Sequence, residues 1–312
     1  MKDDAYLAFD TSCYTTSVAA VTEDAVVFDE RVPLEVPEGA AGLRQSEALF
    51  RHIRNLKTIL SGFPRFNIRA VAYSEKPRPA EGSYMPVFCA GETAALACAA
   101  AAGADGYALT HQHGHLYSAY FGNEVEDGEH IAFHVSGGTL DILKINVEDM
   151  VITQIAPLGG KLDITCGQLI DRVGVAAGLG FPAGARMEAL YKKGGPKLPV
   201  SVNGLNCNLS GAETRALRLL KEGAEPAFVC GAVVDCSADT IAALIENAAA
   251  ITGIKRFIFT GGVICNKIIR EKIASVCAAG GYGRVLADAE LCGDNARGLA
   301  LAARILAARA RA

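Results

Sequence analysis

The feature that most constrains this fold is an apolar strand that ends in a turn of small or polar residues, and it occurs three times. The three segments are AYLAFDTSCYTTSVAAV (5–21), HIAFHVSGGTLDILKI (130–145) and RFIFTGGVICNKIIREKI (256–273). In the first two, apolar residues resume after the turn in TSVAAVT and LDILKIN, which predicts β-hairpins. In the third, the strand and its turn run straight into a helix. The three segments therefore predict a fold that is built on β-sheets.

Helical periodicity separates the strands and predicts an α/β protein. The predicted helices are 42–61, 91–102, 111–121, 166–178, 211–221, 229–252, 266–279 and 294–310. Two strand–turn–strand units in 312 residues suggest a duplicated architecture, with a sheet and helices in each half and a cleft between the halves. We expect one subdomain from residues 1–128 plus the C-terminal helix at 294–312, and a second from 129–293.

The glycine-rich turns indicate what such a cleft would bind. Small residues let backbone N–H groups approach an anion closely. A helix that starts just after TGGV adds the positive end of its dipole at the same place. One Gly-Gly turn is weak evidence, but three turns that each follow an apolar strand predict a phosphate-binding cleft.

Charge and cysteine usage narrow the class of protein. A net charge of −4 and a pI of about 5.9 do not indicate a strongly basic nucleic-acid binder. Contact with RNA would need local patches, which can equally be ordinary solvated surface: Arg51-Arg54-Lys57, Lys192-Lys193-Lys197 and Lys267-Arg270-Lys272. The ten cysteines form no CxxC pair and mostly lie in apolar runs, as thiols of a reducing cytosol do. We see no signal peptide and no apolar run of the ~20 residues that span a membrane, so a cytoplasmic protein without membrane contact is expected.

The segment THQHGH holds three of the six histidines. If a helix starts after Thr110 as its N-cap, His111 and His115 share one face and can share a metal ion. Two ligands seldom suffice, so a further carboxylate or imidazole must come from elsewhere. Gln112 stands where a zinc peptidase of the HExxH type has its glutamate. The pair can also be a plain helix face, and Asp294 can be a simple N-cap of the last helix.

Seven motifs, in order along the chain, resemble those of the catalytic subunit family of tRNA threonylcarbamoyladenosine synthase, formerly called O-sialoglycoprotein endopeptidase. That family has the duplicated actin, hexokinase and Hsp70-like (ASKHA) ATPase fold, with two subdomains and a nucleotide cleft between them. The motifs are FDTSCYTTSVAAV, HQHGH, VSGG, LDITCGQLIDRVGVAAGLGFPAG, NLSGAETRA, TGGVICN and CGDNARGLA.

The resemblance implies a site. One divalent metal ion, iron or zinc, would be held by His111, His115 and Asp294. An ATP- or AMP-type nucleotide or the substrate would be bound by Val135, Ser136, Gly137, Gly138, Thr139, Asp171, Gly184 and Asn266. Asp171 would also be the catalytic residue. From the residues alone, Asp171 is equally a charge on a helix surface, and Asn266 is equally the cap of the next helix.

The resemblance also implies an activity and partners. A threonylcarbamoyl group would pass from threonylcarbamoyl-AMP to N6 of an adenosine in the tRNA anticodon loop. The partners would be tRNA, a shorter homologue of the same fold that lacks the metal, and a small ATPase. The apolar segment LFRHIRNLKTIL could serve the pairing, or be ordinary core.

Several positions depart from the family's pattern. Acidic or basic residues of the family are replaced at Tyr14, Thr15, Ile164, Gln168 and Glu213, and a histidine is replaced at Thr139. One alternative is therefore a divergent nucleotide-binding paralogue that acts as a scaffold or on another acceptor. A metallopeptidase is the least favoured alternative, because Gln112 cannot act as the general base.

Overall fold

The computed structural model of the chain describes residues 3–12, 14–35 and 43–311. Cys13 and the predicted first residue of the helix at 42–61 lie outside the described residues. Two compact units are present. One contains the described residues up to Asn123, Asp149–Val151 and those from Asp294 onward, and the other contains Glu124–Glu148 and Ile152–Gly293.

The first unit is built on a five-stranded sheet in the order β3-β2-β1-β4-β5. β1 pairs antiparallel with β2 and parallel with β4, and β4 pairs parallel with β5. Its elements, up to the start of the second unit, are β1 Asp4–Asp10, β2 Thr15–Val21, β3 Val26–Pro33, α1 Gln45–Ser61, β4 Asn67–Lys76, α2 Phe88–Ala102, β5 Asp105–Thr110 and α3 His111–Ser118.

The second unit is built on a seven-stranded sheet in the order β12-β11-β6-β7-β8-β10-β9. Its elements are β6 Gly128–Val135, β7 Leu140–Glu148, β8 Val151–Lys161, α4 Cys166–Ala176, α5 Gly184–Ala189, β9 Ser201–Asn203, β10 Asn206–Asn208, α6 Ser210–Lys221, α7 Pro226–Thr252, β11 Arg256–Thr260, α8 Lys267–Gly280 and β12 Gly283–Leu286. The last helix of the chain, α9 Arg297–Arg309, belongs to the first unit.

Period-2 alternation in the strands explains how the first sheet is covered. Along β1, Tyr6 and Ala8 face the alanine-rich side of α9, while Leu7 and Phe9 face α1 and α2. Small side chains on α9, such as Ala300, let this helix lie close to the sheet. The end of β1 is therefore held between helices on both faces of the sheet.

The predicted hairpins are confirmed, whereas two predicted helix boundaries and one strand–helix connection are corrected. The helix predicted at 294–310 starts at Arg297, so Asp294 precedes it in a loop and does not cap it. The helix predicted at 111–121 ends at Ser118. The third strand does not run straight into its helix, because a 3₁₀ turn, Gly262–Cys265, separates β11 from α8.

One helix of the described residues, α7, corrects the expectation that no apolar run is long enough to cross a membrane. It has 27 residues, and its most apolar window has a mean hydropathy of 1.8. That window is 78% buried inside the protein. The core helix of a soluble protein has the same length and composition, so α7 alone is weak evidence for a membrane span.

Two histidines with lowered pKa values predict that the protein loses stability in acid. Burial lowers the pKa of His52 and of His113 from 6.5 to about 4. Between pH 6.5 and about 4 the unfolded chain binds more protons than the folded one, so the free energy of unfolding should fall as the pH falls through this window. Urea titrations at several pH values should show that His52→Gln loses about 1–2 kcal/mol less than wild type across it. Equal pH slopes for the two proteins would contradict this expectation.

Candidate metal centre and nucleotide pocket

The metal motif lies at the start of α3, and Thr110 fixes that start. Thr110 is the N-cap, as predicted: its Oγ1 accepts from the His113 backbone N–H at 3.3 Å, and the Thr110 N–H donates to His113 Nδ1 at 3.3 Å. This reciprocal pairing is a capping box, which satisfies two backbone N–H groups that a helix start leaves open. His113 is therefore a capping residue, and the histidines on either side of it are left for another role.

His111, His115 and Asp294 come together in the first unit. The two Nε2 atoms are 3.0 Å apart, as the i, i+4 spacing leads one to expect. Asp294 Oδ1 lies 3.3 Å from His115 Nε2 and 3.6 Å from His111 Nε2. The ligand atoms all lie within 4.8 Å of one another, and no other set of three such residues does so within the described part of the chain.

Asp10, at the end of β1, orients the first of these imidazoles. Its Oδ2 lies 2.6 Å from His111 Nδ1, and its Oδ1 accepts from Ser74 Oγ at 2.6 Å. A carboxylate on one ring nitrogen directs the other nitrogen, here Nε2, toward a metal and makes it a stronger ligand. The sequence analysis missed this role of Asp10, although FDTS places an acid directly after a buried strand.

The charged groups of the centre shift one another's pKa values. Burial alone would lower the pKa of His111, but the charge and hydrogen bond of Asp10, with those of Asp294, raise that pKa well above its usual value. Burial and the neighbouring His111 lower the pKa of His115. Burial would raise the pKa of Asp294, but its hydrogen bonds to the two histidines hold that pKa well below its usual range. The centre thus keeps a carboxylate ionised beside two imidazoles.

The loop that carries Asp294 is anchored on both sides. The Ala296 N–H donates to Ser17 Oγ on β2 at 2.8 Å. Gly298, in the first turn of α9, lies so close to α3 that a Cβ there would contact the Gly114 carbonyl oxygen and would lie 2.8 Å from the Ser118 backbone nitrogen. Close packing of α9 on α3 therefore brings Asp294 to the two histidines.

Replacing Asp10 with asparagine should weaken metal binding without unfolding the protein. Asparagine keeps the size of the side chain but removes the charge that orients and activates His111. We expect the affinity for Zn²⁺ or Fe²⁺ to fall about 10- to 100-fold, the usual effect of removing such a partner. Competition with a chromogenic chelator measures it, with the exposed Asp4→Asn variant as control. Equal affinities in the two variants would exclude the orienting role.

A cavity of about 330 Å³ lies in the second unit. Four of the predicted nucleotide-binding residues line it: Gly137, Asp171, Gly184 and Asn266. Val135 does not, because it is fully buried at the end of β6. The remaining predicted residues close the turn between β6 and β7: the Ser136 N–H donates to the Thr139 carbonyl at 2.8 Å, and the Thr139 N–H donates to Ser136 Oγ at 3.2 Å.

Asp171 and Asn266 each have a local contact that fixes them in the wall of this cavity. Asp171 is half-buried rather than a plain surface charge, and its Oδ1 accepts from the Ala183 N–H at 2.8 Å. Burial raises the pKa of Asp171, and the bond from Ala183 opposes the rise. Asn266 Oδ1 accepts from the N–H groups of Ile268 and Ile269, so it does cap α8 while it lines the cavity.

Two glycines that were not among the predicted binding residues lie at this cavity: Gly167 lines it, and Gly261 precedes Gly262, which also lines it. A Cβ on Gly167 would lie 2.5 Å from Gly137 Cα, so only glycine lets the start of α4 approach the glycine turn. Gly261 has φ +102° and backs on Val135, where a Cβ would lie 2.6 Å from the carbonyl carbon. The glycines are visible in the segments TCGQ and TGGV, but the sequence does not show which other backbone segment packs against each of them.

Two of the departures from the family's pattern have a structural account. Gln168 forms a capping box with Thr165: its Oε1 accepts from the Thr165 N–H at 3.1 Å, and its own N–H donates to Thr165 Oγ1 at 2.9 Å. Glutamine serves in this motif as well as glutamate does. Glu213 is paired with Arg172 at 3.1 Å. The changes at Tyr14 and Thr15 have no such explanation in the structure.

Solved structures identify the class of fold. HypF in its phosphate- and nucleotide-bound form matches 100% of this chain and 57% of its own, with a TM-score of 0.62 at 11% identity. The activator of 2-hydroxyisocaproyl-CoA dehydratase from Clostridium difficile matches 98% of this chain and 97% of its own, with a TM-score of 0.55 at 13% identity. A ROK family glucokinase from Streptomyces griseus matches 96% and 99%, with a TM-score of 0.52 at 12% identity. The protein therefore has the actin, hexokinase and Hsp70-like ATPase fold that its motifs indicate.

Sequence comparison narrows this class to one family. The pattern of the TsaD family, tRNA N6-adenosine threonylcarbamoyltransferase, matches residues 45–301. Proteins of that name from Pelobacter propionicus and Methanopyrus kandleri are 28% and 27% identical to this chain. Those alignments cover 95% and 89% of this chain and 90% and 80% of the relatives. This chain belongs to the TsaD family of acyltransferases.

Proposed function

We propose that the protein transfers a threonylcarbamoyl group from threonylcarbamoyl-AMP to N6 of an adenosine in the anticodon loop of tRNA, with the help of one divalent metal ion. One observation carries the proposal: His111, His115 and Asp294 bring their ligand atoms within 4.8 Å of one another in a chain of this family. Relatives across most of the chain are named for transfer to tRNA adenosine.

The donor set fits a metal ion. Two imidazole nitrogens and one carboxylate oxygen suit zinc or iron better than magnesium, which prefers oxygen ligands. His111 and His115 would bind through Nε2, and Asp10 already holds Nδ1 of the first ring. When bound, such an ion supplies Lewis acidity that polarises the mixed anhydride of the adenylate.

We assign the AMP part of the substrate to the cavity of the second unit. Its glycine turns admit a phosphate, since a Cβ at Gly138 or Gly262 would meet no atom within 4 Å. The Asp171 carboxylate is suited to accept hydrogen bonds from ribose hydroxyls, and Asn266 stands at the N-terminus of α8, where an anion is stabilised. Asp171 would then bind substrate rather than transfer a proton.

The transfer itself needs positioning more than covalent catalysis. The N6 amine of adenosine attacks the carbamoyl carbon, a C–N bond forms, the bond from that carbon to the phosphate oxygen breaks, and AMP leaves. The nitrogen loses its proton to water or to the departing phosphate, so no residue has to form a covalent intermediate. The enzyme gains rate by holding the two reactants together and by stabilising the charge that develops.

The proposal is tested by incorporation of labelled threonine into tRNA. The purified protein is combined with an adenylate-forming enzyme, bicarbonate, ATP and its partner proteins, and the modified nucleoside is quantified by mass spectrometry. We expect incorporation that disappears in the His111→Ala/His115→Ala double variant. No incorporation, where a relative such as the Pelobacter propionicus protein is active, would reject transfer to tRNA.

A nucleotide-binding paralogue without transfer activity is the second candidate. It is favoured by the changes at Tyr14 and Thr15, which remove acidic groups of the family beside the turn after β1. Glu213 adds a negative charge where the family has lysine, although Arg172 neutralises it. Calorimetry with AMP separates the candidates, because binding combined with a negative tRNA assay supports the paralogue.

We further propose a cytoplasmic location and pairing with a shorter, metal-less homologue and a small ATPase. α1 offers a surface for such pairing. Leu56 and Ile59 on one face are buried in the core, while Phe50 and Ile53 are 59% and 52% exposed. Exposed apolar side chains on a helix that is already packed on its other face are typical of a partner interface.

A further inference from the structure

Two cysteines meet at the wall of the nucleotide pocket. Cys265 ends the 3₁₀ turn Gly262–Cys265 and lines the cavity, where it is partly exposed. Cys292 follows a second 3₁₀ turn, Ala289–Leu291, and is fully buried. The two side chains interact closely enough to shift each other's pKa: the pKa of Cys265 falls and that of Cys292 rises. The two thiols are therefore near neighbours, and a movement of the turns that carry them can bring the sulfurs together.

Carbonyl groups of one loop hold both thiols in place. Cys265 Sγ donates to the Ala289 carbonyl at 3.2 Å, and Cys292 Sγ donates to the Ala287 carbonyl at 3.5 Å. The two 3₁₀ turns are in contact, so the two cysteines lie on adjacent backbone segments. This arrangement differs from that of a solitary buried cysteine, which acts only as a small apolar side chain.

An accessible thiol beside a buried partner is the arrangement of a redox sensor. The accessible sulfur meets the oxidant first, and the second sulfur resolves the product into a disulfide. Here a small oxidant can reach Cys265 through the cavity. Cys292 is buried and has no contact with solvent. The order of attack follows from the exposure of the two side chains.

We propose that Cys265 and Cys292 form a disulfide on exposure to peroxide, and that this bond reduces nucleotide binding in the adjacent cavity. The Cys265 thiolate attacks hydrogen peroxide, which gives a sulfenic acid and hydroxide. The Cys292 sulfur then attacks the sulfenic sulfur and expels a second hydroxide, and the two thiol protons convert both hydroxides to water. Two thiols are oxidised and one peroxide is reduced, so the step needs no other reactant.

The effect on the pocket rests on the proposed nucleotide function, whereas disulfide formation does not. A disulfide requires its sulfurs about 2.05 Å apart, closer than two thiols approach without a bond between them. Closing that gap would draw the turn that holds Cys265 toward Ala289 and would displace Asn266, the next residue and part of the cavity wall. By linkage, a nucleotide that binds the reduced form better stabilises that form relative to the disulfide.

The test treats the reduced protein with hydrogen peroxide and maps cross-linked peptides by mass spectrometry, with and without AMP. We expect a Cys265–Cys292 peptide whose yield falls when AMP is present, and AMP affinity about tenfold lower in the oxidised protein. Reduction with dithiothreitol should restore the affinity. The AMP affinity of Cys265→Ser, whatever its starting value, should not change on treatment with peroxide, whereas Cys98→Ser, a partly exposed thiol of the other unit, should behave as wild type.

Two results would overturn the inference, and each is distinct from failure of the proposed function. Absence of the Cys265–Cys292 peptide in both wild type and Cys98→Ser would exclude the disulfide. A disulfide that leaves AMP affinity unchanged would exclude control of the pocket. If the reduced protein bound no AMP at all although the peptide formed, the nucleotide assignment would be wrong and the disulfide would stand.

Discussion

Replacement of Asp294 by alanine should leave a folded protein that no longer retains zinc or iron and no longer transfers threonylcarbamoyl to tRNA. The carboxylate contacts both imidazoles, at 3.3 and 3.6 Å, so its loss removes one of the three proposed ligands. Loss of a mere outer partner of a ligand costs 10- to 100-fold in metal affinity, and loss of a ligand should therefore cost more than about 100-fold.

The variant should still fold because Asp294 does not cap a helix. It precedes α9 in a loop, and Ala296 is the residue at the N-cap position of that helix. Metal content after dialysis, measured by mass spectrometry, and labelled threonine incorporation test the expectation. Asp24→Ala, an exposed carboxylate of the same unit, is the control. A variant that kept metal at the wild-type ratio would show that the ion binds elsewhere.

The position of Asp294 also shows where prediction from sequence ends. The apolar periodicity of DNARGLALAARIL extends the predicted helix back to residue 294, yet the helix begins at Arg297. Asn295 accounts for the difference, because its side-chain oxygen accepts from the Arg297 N–H at 2.9 Å and offers the backbone a turn in place of a helix. Side-chain competition of this kind does not alter a hydrophobic pattern.

The same limit applies to the end of α3. The pattern predicts a helix to residue 121, but the chain tightens into i→i+3 bonds, with the Ala119 and Tyr120 N–H groups donating to Leu116 and Tyr117. Gly122, at φ +69°, then ends the segment. By contrast, the start of α3 could be predicted, because Thr110 is a standard capping residue in a local motif.

Local signals thus gave the strands, the Thr110 cap and the spacing of His111 and His115. Asp294 reaches the two histidines because α9 packs against α3, and no local sequence pattern predicts this packing. Only the family resemblance supplied Asp294 before the structure. Asp10 was missed for the same reason, since its contact with His111 joins the end of β1 to a helix about a hundred residues later.

Substitution of Gly298 by alanine should separate the two parts of the metal centre. A Cβ there would contact the Gly114 carbonyl oxygen and lie 2.8 Å from the Ser118 nitrogen, both of them backbone atoms of α3 that cannot rotate away. Alanine would favour an isolated helix by about 1 kcal/mol over glycine. Overpacking a tight interface costs about 1–3 kcal/mol. We expect net destabilisation and a metal affinity at least about tenfold lower, because α9 and Asp294 must move away from the histidines.

Alanine substitutions at two other glycines should have smaller effects on stability and metal affinity. At Gly114, on the facing helix, a Cβ would meet Leu299 Cγ at 3.2 Å, a side chain that can shift, so Gly114→Ala should be milder. At Gly62, which ends α1, the nearest atom is the Ile59 carbonyl oxygen at 3.7 Å, and Gly62→Ala should be nearly neutral. Urea unfolding and chelator competition on all three variants test the order Gly298, Gly114, Gly62. Since helix propensity favours alanine at both interface sites, a stabilised Gly298→Ala with unchanged metal binding would mean that close contact between α3 and α9 does not build the centre.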